Sequence, residues 1–326
     1  MMKRVFLLAC AAAAAAALVV ASAYNADLRQ EAARVSTGSK VVATPCGPIE
    51  YAQAGSGPVV LVVHGAGGGF DQGMALGNEL AARGFQVIAP SRFGYLRTPF
   101  PADASPAAQA DAHACLLDAL GLGRVAVIGV SAGAPSTMQF ALRHSARIAA
   151  MVLLVPLAYA PPSERAAAPE LSAPARFLLE AGLKSDFLFW SAVTLAPAVV
   201  TRTVLATPPE LVAKADAREQ ARAGELMRRI LPVSRRQAGL LHDATLGASL
   251  GRDPIERITA PTLVVSLQDD LFGTFDSARY SAQHIPGARF VSYPTGGHVW
   301  VGRHEQVMAE IVRFLGPQAP LAGLAR

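Results

Sequence analysis

The sequence predicts an α/β fold, a mostly parallel doubly wound sheet interrupted by a helical insertion. Three observations carry that prediction. Short β-like runs alternate with helical patterns along the chain. Several of those runs are apolar at every position, as in strands covered on both faces of a parallel sheet. The alternation stops over residues 157–258 and then resumes. The chain has 326 residues, 52% hydrophobic and 16% charged. Such an apolar content excludes intrinsic disorder, and a domain of this size buries a core that needs no disulfide or metal staple.

Residues 1–23 read as a targeting segment. Lys3-Arg4 precede an apolar run from Val5 to Val20, and Ala21-Ser22-Ala23 follow it. A basic n-region, an apolar h-region and an A-x-A site describe an export signal, with cleavage expected after Ala23. The run is short for a spanning helix of about 20 residues. The alanines from Ala11 to Ala17 blur its boundary, so an uncleaved N-terminal anchor is the second reading. Leu7-Leu8-Ala9-Cys10 faintly resembles a lipoprotein cleavage box, but it comes before most of the apolar run. With cleavage or with an anchor, residues 24–326 lie outside the cytoplasm, in the periplasm or beyond it.

Pro58 to Val63 is a continuous apolar run ending at His64-Gly65, the pattern of a buried parallel strand. Asp71 to Arg83 reads as a helix closed by Gly84. Phe85 to Ala89 is the next strand. Ser105 to Leu120 is helical, with Ser105 as N-cap, Pro106 in the first turn and Gly121 past the end. Arg124 to Val130 is a strand, Ala134 to His144 a helix, and Ile148 to Val155 a strand stopped by Pro156. Residues 157–258 carry Pro-punctuated helical patterns and are expected to form a lid. Thr262–Leu267 and Arg289–Tyr293 are strands, and a helix from about Glu305 to Leu315 closes the fold. Function is expected at the carboxyl ends of the strands, beneath the insertion.

The net charge is +5, of which Lys3 and Arg4 supply two, and no block of five like charges occurs. That pattern speaks against nucleic acid as a partner. The cysteines are Cys10, Cys46 and Cys115, without a CxxC or paired Cys/His spacing, so no metal site is expected. Cys46 and Cys115 read as two free, mostly buried thiols, with pairing in an oxidising compartment as the alternative.

Gly129-Val130-Ser131-Ala132-Gly133 matches G-x-S-x-G, follows an apolar strand and opens a helix, which is the context that motif requires. Side chains two residues either side of Ser131 would collide with neighbouring backbone, and glycine removes the collision. A hydroxyl needs a base to act as a nucleophile at neutral pH. His298, in Gly296-Gly297-His298 after the last predicted strand, suits that task. His113 and His144 lie on helical patterns as packing or surface residues, and His64 is expected to brace its loop. His242, His284 and His304 have no motif context, and Met308 breaks an H-E-x-x-H reading at His304.

The base needs an acid to fix its tautomer. Asp270 is expected in that role, with its neighbour Asp269 capping the loop. The stretch after the preceding strand, Pro156 to Ala160, offers no carboxylate. The oxyanion donors are expected to be the amides of Ala132 and Ala66, with Gly67 in reserve, from the run His64-Gly65-Ala66-Gly67-Gly68-Gly69. That run fails as G-x-G-x-x-G because Phe70 stands where the last Gly belongs, and no phosphate-binding G-x-x-x-x-G-K-[ST] exists, so no nucleotide cofactor is expected.

With these residues in place, about residues 45–316 resemble the α/β-hydrolase superfamily. The matching pieces are Val63 to Gly68, Gly129 to Gly133, Leu267 to Asp270 and Gly296 to His298. The stretch Ser91 to Thr98 is similar to a family turn often written D-x-R-G-x-G-x-S, with Ser91 replacing the acid and Leu96 a glycine. The resemblance implies a serine hydrolase of lidded-esterase type, cleaving small carboxylic esters without a cofactor through the order Ser131, Asp270, His298. It is also similar to meta-cleavage-product hydrolases, so C–C bond hydrolysis or cofactor-free perhydrolysis on the same residues is an alternative, and a non-catalytic binding protein is a third. Phe187-Leu188-Phe189-Trp190, with Phe177-Leu178-Leu179 and Leu183, either line an apolar acyl or aromatic pocket or pack the insertion on the core.

Overall fold

A computed structural model describes residues 2–164 and 181–316. Helix α1 spans Met2–Ser36, and strands β1 (Lys40–Thr44) and β2 (Gly47–Ala54) form a hairpin. The alternating unit follows as β3 (Val59–Val63), α2 (Phe70–Ala81), β4 (Gln86–Pro90), α3 (Pro106–Ala119), β5 (Val125–Val130), α4 (Ala134–Arg143) and β6 (Ile148–Leu154). The insertion contributes α5 (Asp186–Leu195), α6 (Pro197–Thr203), α7 (Pro209–Lys214), α8 (Ala217–Arg228) and α9 (Gln237–Ser249). Then β7 (Thr262–Leu267), α10 (Thr274–His284), β8 (Arg289–Tyr293) and α11 (His304–Leu315) complete the chain.

The eight strands lie in the order β1-β2-β4-β3-β5-β6-β7-β8, parallel from β4 to β8, with the β1–β2 hairpin antiparallel at one edge. Strands β3 and β6 are buried at every position, which is why their sequences are apolar throughout rather than alternating. Apolar clusters cover both faces, one built on Leu61, Val127 and Met151 and the other on Val60, Ile128 and Val152. Ser105 Oγ accepts from Ala108 N–H at 3.2 Å at the start of α3, and Gly121 just past its end takes φ 64°, as its sequence signals require.

Register brings the site loops to one edge. Val63 pairs with Gly129 and Leu267 with Tyr293, so His64, Ser131, Asp270 and His298 all follow strand ends on the same side of the sheet. The insertion leaves the carboxyl end of β6 on that side.

One expectation changes, and two features add to what the sequence predicts. The β1–β2 hairpin is an antiparallel edge on the mostly parallel sheet that the sequence predicts. Cys46 and Cys115 are not free thiols but a disulfide, with Cα atoms 6.1 Å apart, joining the β1–β2 turn to α3. The contact between these elements exists only in the fold, because 69 residues separate the two cysteines. Helix α1 runs through Ala23 to Ser36, held over its second half by contacts of Tyr24, Asp27, Arg34 and Val35 with the body.

Candidate active site

Ser131 sits where β5 turns into α4, at φ 49°, a left-handed conformation that L-residues rarely adopt. The flanking glycines show why the turn tolerates it. A Cβ on Gly129 would stand 2.5 Å from Thr137 Oγ1, and one on Gly133 2.6 Å from the carbonyl oxygens of both Val63 and His64. Close approach of α4 to β3 and β5 therefore requires glycine at both positions.

His298 Nε2 lies 2.9 Å from Ser131 Oγ, and His298 Nδ1 lies 2.7 Å from Asp270 Oδ2. The carboxylate accepts from Nδ1–H, which leaves Nε2 as the lone-pair nitrogen facing the serine hydroxyl. Asp270 also accepts from Phe272 N–H at 2.9 Å and from the Thr274 hydroxyl, so both its oxygens are oriented. The adjacent Asp269 points the other way and accepts from Gly296 N–H and Gly297 N–H at 3.1 and 2.8 Å, which ties down the turn that carries His298. The Phe272 ring stands edge-on to the imidazole, centroids 4.9 Å apart.

The loop after β3 forms the opposite wall. Ala66 N–H has no acceptor among the described residues and borders the same cavity as Ser131. Ala132 N–H lies in the first turn after Ser131, where helical amides have no acceptor behind them. Gly67 N–H donates to the Tyr95 hydroxyl at 3.2 Å, so the reserve donor is already engaged.

His64 does brace this loop. Its Nε2 accepts from Arg92 N–H at 2.9 Å, so Nδ1 carries the proton and donates to the Gly65 carbonyl at 2.7 Å. Burial first, and the neighbouring Arg92 guanidinium second, push its pKa well below the ordinary value and keep the ring neutral. His113 is buried against Ser136 and is held down at about 3 by burial and by Arg92 and His144; it does not reach the site. His304 borders the cavity and bonds Glu79 at 2.7 Å, a placement no motif announced.

Two buried charge clusters around the loop escape sequence reasoning. Arg92 makes a paired contact with Asp243 of α9, at 2.9 and 2.6 Å, and donates to the Gly65 carbonyl at 3.2 Å. The Tyr95 hydroxyl donates to the same carboxylate at 2.5 Å. On the other side Arg236, fully buried just before α9, donates to the Gly68 carbonyl and pairs with Asp71, which also accepts from Arg34 of α1. The only sequence signal for these groups is their charge in helical or turn segments, which ordinarily marks solvent exposure.

Walls and insertion enclose a cavity of about 550 Å³. Leu157, Leu183, Val204, Leu205, Leu226 and Phe272 give it a mainly apolar lining. The stretch Phe187 to Trp190 is not part of that lining. Phe189 and Trp190 pack inside the insertion with Val200 and Leu231, while Phe187 and Leu188 face outward. Phe177, Leu178 and Leu179 lie outside the described residues. Among the described residues no group of His, Cys, Asp and Glu is arranged to hold a metal ion.

Comparison with known proteins bears on the fold and class. A family model described as the α/β hydrolase fold matches residues 58–301. An α/β hydrolase fold protein from Nakamurella multipartita superposes with a TM-score of 0.70 at 30% identity, covering 85% of this chain and 98% of its own. An uncharacterized hydrolase, YcgS, from Bacillus subtilis is 25% identical over 271 residues, 79% of this chain and 90% of that protein. The structure of a membrane phospholipase A shares the fold with a TM-score of 0.63 at 20% identity, and its match takes in 97% of this chain and 99% of its own. Strand order, site geometry and these matches agree: the chain is a hydrolase and belongs to the α/β-hydrolase fold family.

Proposed function

We propose that the protein is an exported serine hydrolase that cleaves carboxylic esters with an apolar acyl or aromatic group. The observation that carries this reading is the hydrogen-bonded chain Ser131–His298–Asp270, 2.9 and 2.7 Å long in its two links, at the wall of a mainly apolar cavity. Ser131 Oγ attacks the ester carbonyl carbon while its proton passes to His298 Nε2. Asp270 steadies the imidazolium. The amides of Ala66 and Ala132 hold the oxyanion, each contributing about 10²–10³ in rate. The alcohol leaves with the proton from Nε2. Water, deprotonated by the same nitrogen, then attacks the acyl-enzyme carbonyl; the bond to Ser131 Oγ breaks, Nε2 returns the proton to Oγ, and the acid is released. The apolar lining favours an acyl or aromatic group over a sugar or phosphate. Helix α1 with Lys3 and Arg4 at its start supports export, and so does the Cys46–Cys115 disulfide, since such bonds persist outside the reducing cytoplasm.

Fluorophosphonate labelling of the wild type beside Ser131→Ala, with the labelled peptide mapped and an ester series of varied chain length assayed, tests the reading. Label on Ser131 alone, together with a loss of about 10⁴-fold or more in turnover in the variant, is expected. Undiminished ester turnover in Ser131→Ala would overturn it.

A further inference from the structure

Helix α1 has two halves with different surroundings. Residues 2–23 are exposed, apolar after Lys3 and Arg4, and long enough to cross a membrane. The second half is docked on the insertion. The Tyr24 ring meets Phe187 and Trp190 of α5, centroids 5.2 and 5.5 Å apart. Asp27 accepts from Trp190 Nε1–H at 2.8 Å, and Arg34 donates to the carbonyls of Arg229 and Leu231. The helix is unbroken between the halves, so the position of one fixes that of the other.

The rise of a helix sets the geometry. At about 1.5 Å per residue, Arg4 and Tyr24 are roughly 30 Å apart, the thickness of a bilayer's hydrocarbon core. With the basic pair at the cytoplasmic headgroups, Tyr24 reaches the headgroups of the opposite face, the level where aromatic rings concentrate. Helix α5 touches Tyr24 and therefore lies at that level. Its sequence, Asp186-Phe-Leu-Phe-Trp-Ser-Ala-Val-Thr-Leu195, is apolar on nearly every side, the pattern of a helix surrounded by apolar material. Yet only Phe189 and Trp190 are buried, and Phe187, Leu188 and Leu195 are 43, 47 and 82% exposed.

We propose that α1 is retained as a membrane anchor and that the exposed face of α5 rests in the interfacial layer of the same bilayer, on the side away from the cytoplasm. The partner is a lipid bilayer. Its acyl boundary covers Phe187, Leu188 and Leu195 as it covers other interfacial helices, to a depth of about 5–10 Å. The insertion over the cavity is thereby held against the membrane surface. The proposal does not depend on the chemistry at Ser131.

The test uses the full chain in lipid vesicles. A Leu195→Cys variant in a Cys10→Ser background carries an environment-sensitive fluorophore, the remaining cysteines being joined in the disulfide. Lipids brominated near the headgroup should quench it several-fold. The same label at Asp118→Cys, an exposed position in the last turn of α3 beside the amino-terminal ends of the strands, should stay unquenched. Equal, weak quenching at both positions would overturn the membrane contact. Cross-linking of the Leu195 label between chains in place of quenching would assign the face to a second copy instead. A mature N-terminus at Tyr24 would overturn retention of the anchor. Repeating the labelling in Ser131→Ala separates this result from the enzymatic one, because quenching should be unchanged there.

Discussion

The two walls of the cavity are held by opposite means. On the wall made by the ends of β5, β7 and β8, small residues and short reaches do the positioning. Gly129 and Gly133 let α4 close on the sheet, and Asp269 and Asp270 bond the turn 27 and 28 residues on and their own loop. On the wall made by residues 64–69, long charged side chains do it. Arg92 finds Asp243 at a separation of 151 residues, and Arg236 finds Asp71 at 165. The first wall is built on the sheet, with the insertion adding the Ala206 carbonyl as acceptor for Leu271 N–H and His298 N–H, while the second is tied through buried charges to the insertion and to α1. The contrast teaches that chemistry and scaffolding are separable here, and substitutions should separate them.

The largest expected effect is on the first wall. Asp270→Asn should lower ester turnover by about 10⁴-fold, because the amide no longer fixes the imidazole tautomer. Its urea unfolding curve should stay close to the wild type. A turnover near normal would remove Asp270 from the proposed mechanism. The second wall should answer the other way. Asp243→Ala leaves the Arg92 guanidinium buried without its carboxylate, at a cost of about 3–5 kcal/mol. The turnover of the molecules that remain folded should fall far less than in Asp270→Asn. A stability unchanged by Asp243→Ala would show that the Arg92 pair does not hold the loop.

The disulfide serves as a control outside both walls. Replacing Cys46 and Cys115 by alanine should lower stability by about 2–4 kcal/mol, through the chain freedom returned to the unfolded state, with ester turnover intact. Thermal melts with and without reductant, read beside the assay, check this. A loss of turnover in the still-folded variant would mean that the hairpin edge communicates with the site.

The smallest effect concerns acid. Burial opposes ionisation of Asp71, but the bonded guanidinium of Arg236 and that of Arg34 outweigh it and hold the carboxyl down at about 2. A folded-state value below the unfolded one stabilises the protein above about pH 4, and this contribution is lost as pH falls toward 2. The difference from the ordinary 3.8 corresponds to roughly 2–3 kcal/mol. Urea midpoints at pH 5 and pH 2.5 should therefore lie further apart in the wild type than in Asp71→Asn. An equal acid loss in both proteins would place the sensitivity elsewhere.

Much of the first wall is legible in the amino-acid sequence. A strand, G-x-S-x-G and a helix start describe the serine turn, and the chain order puts Asp270 and His298 after later strands. The second wall is legible only in its backbone. The glycine run from Gly65 announces a loop that approaches something closely, but nothing near Arg92 or Asp71 in sequence names Asp243 or Arg236 as partner. The aromatic stretch Phe187 to Trp190 is legible as apolar and not as to what it touches. Two of its rings fill the interior of the insertion and one helix face is left outward, a division set by the packing of α5 against α1 and α8.

By itself the sequence determined the class of fold, the strands of the parallel sheet and the turn that carries Ser131. These follow from periodicity and from glycine and proline, whose effects act within a few residues of their own position. Only the tertiary structure decided that Cys46 meets Cys115, that α1 continues past Ala23 onto the insertion, and that two buried arginines hold the loop opposite Ser131. Each joins segments far apart in the chain. Such a contact forms only where the fold has already brought the two segments together and excluded water from between them.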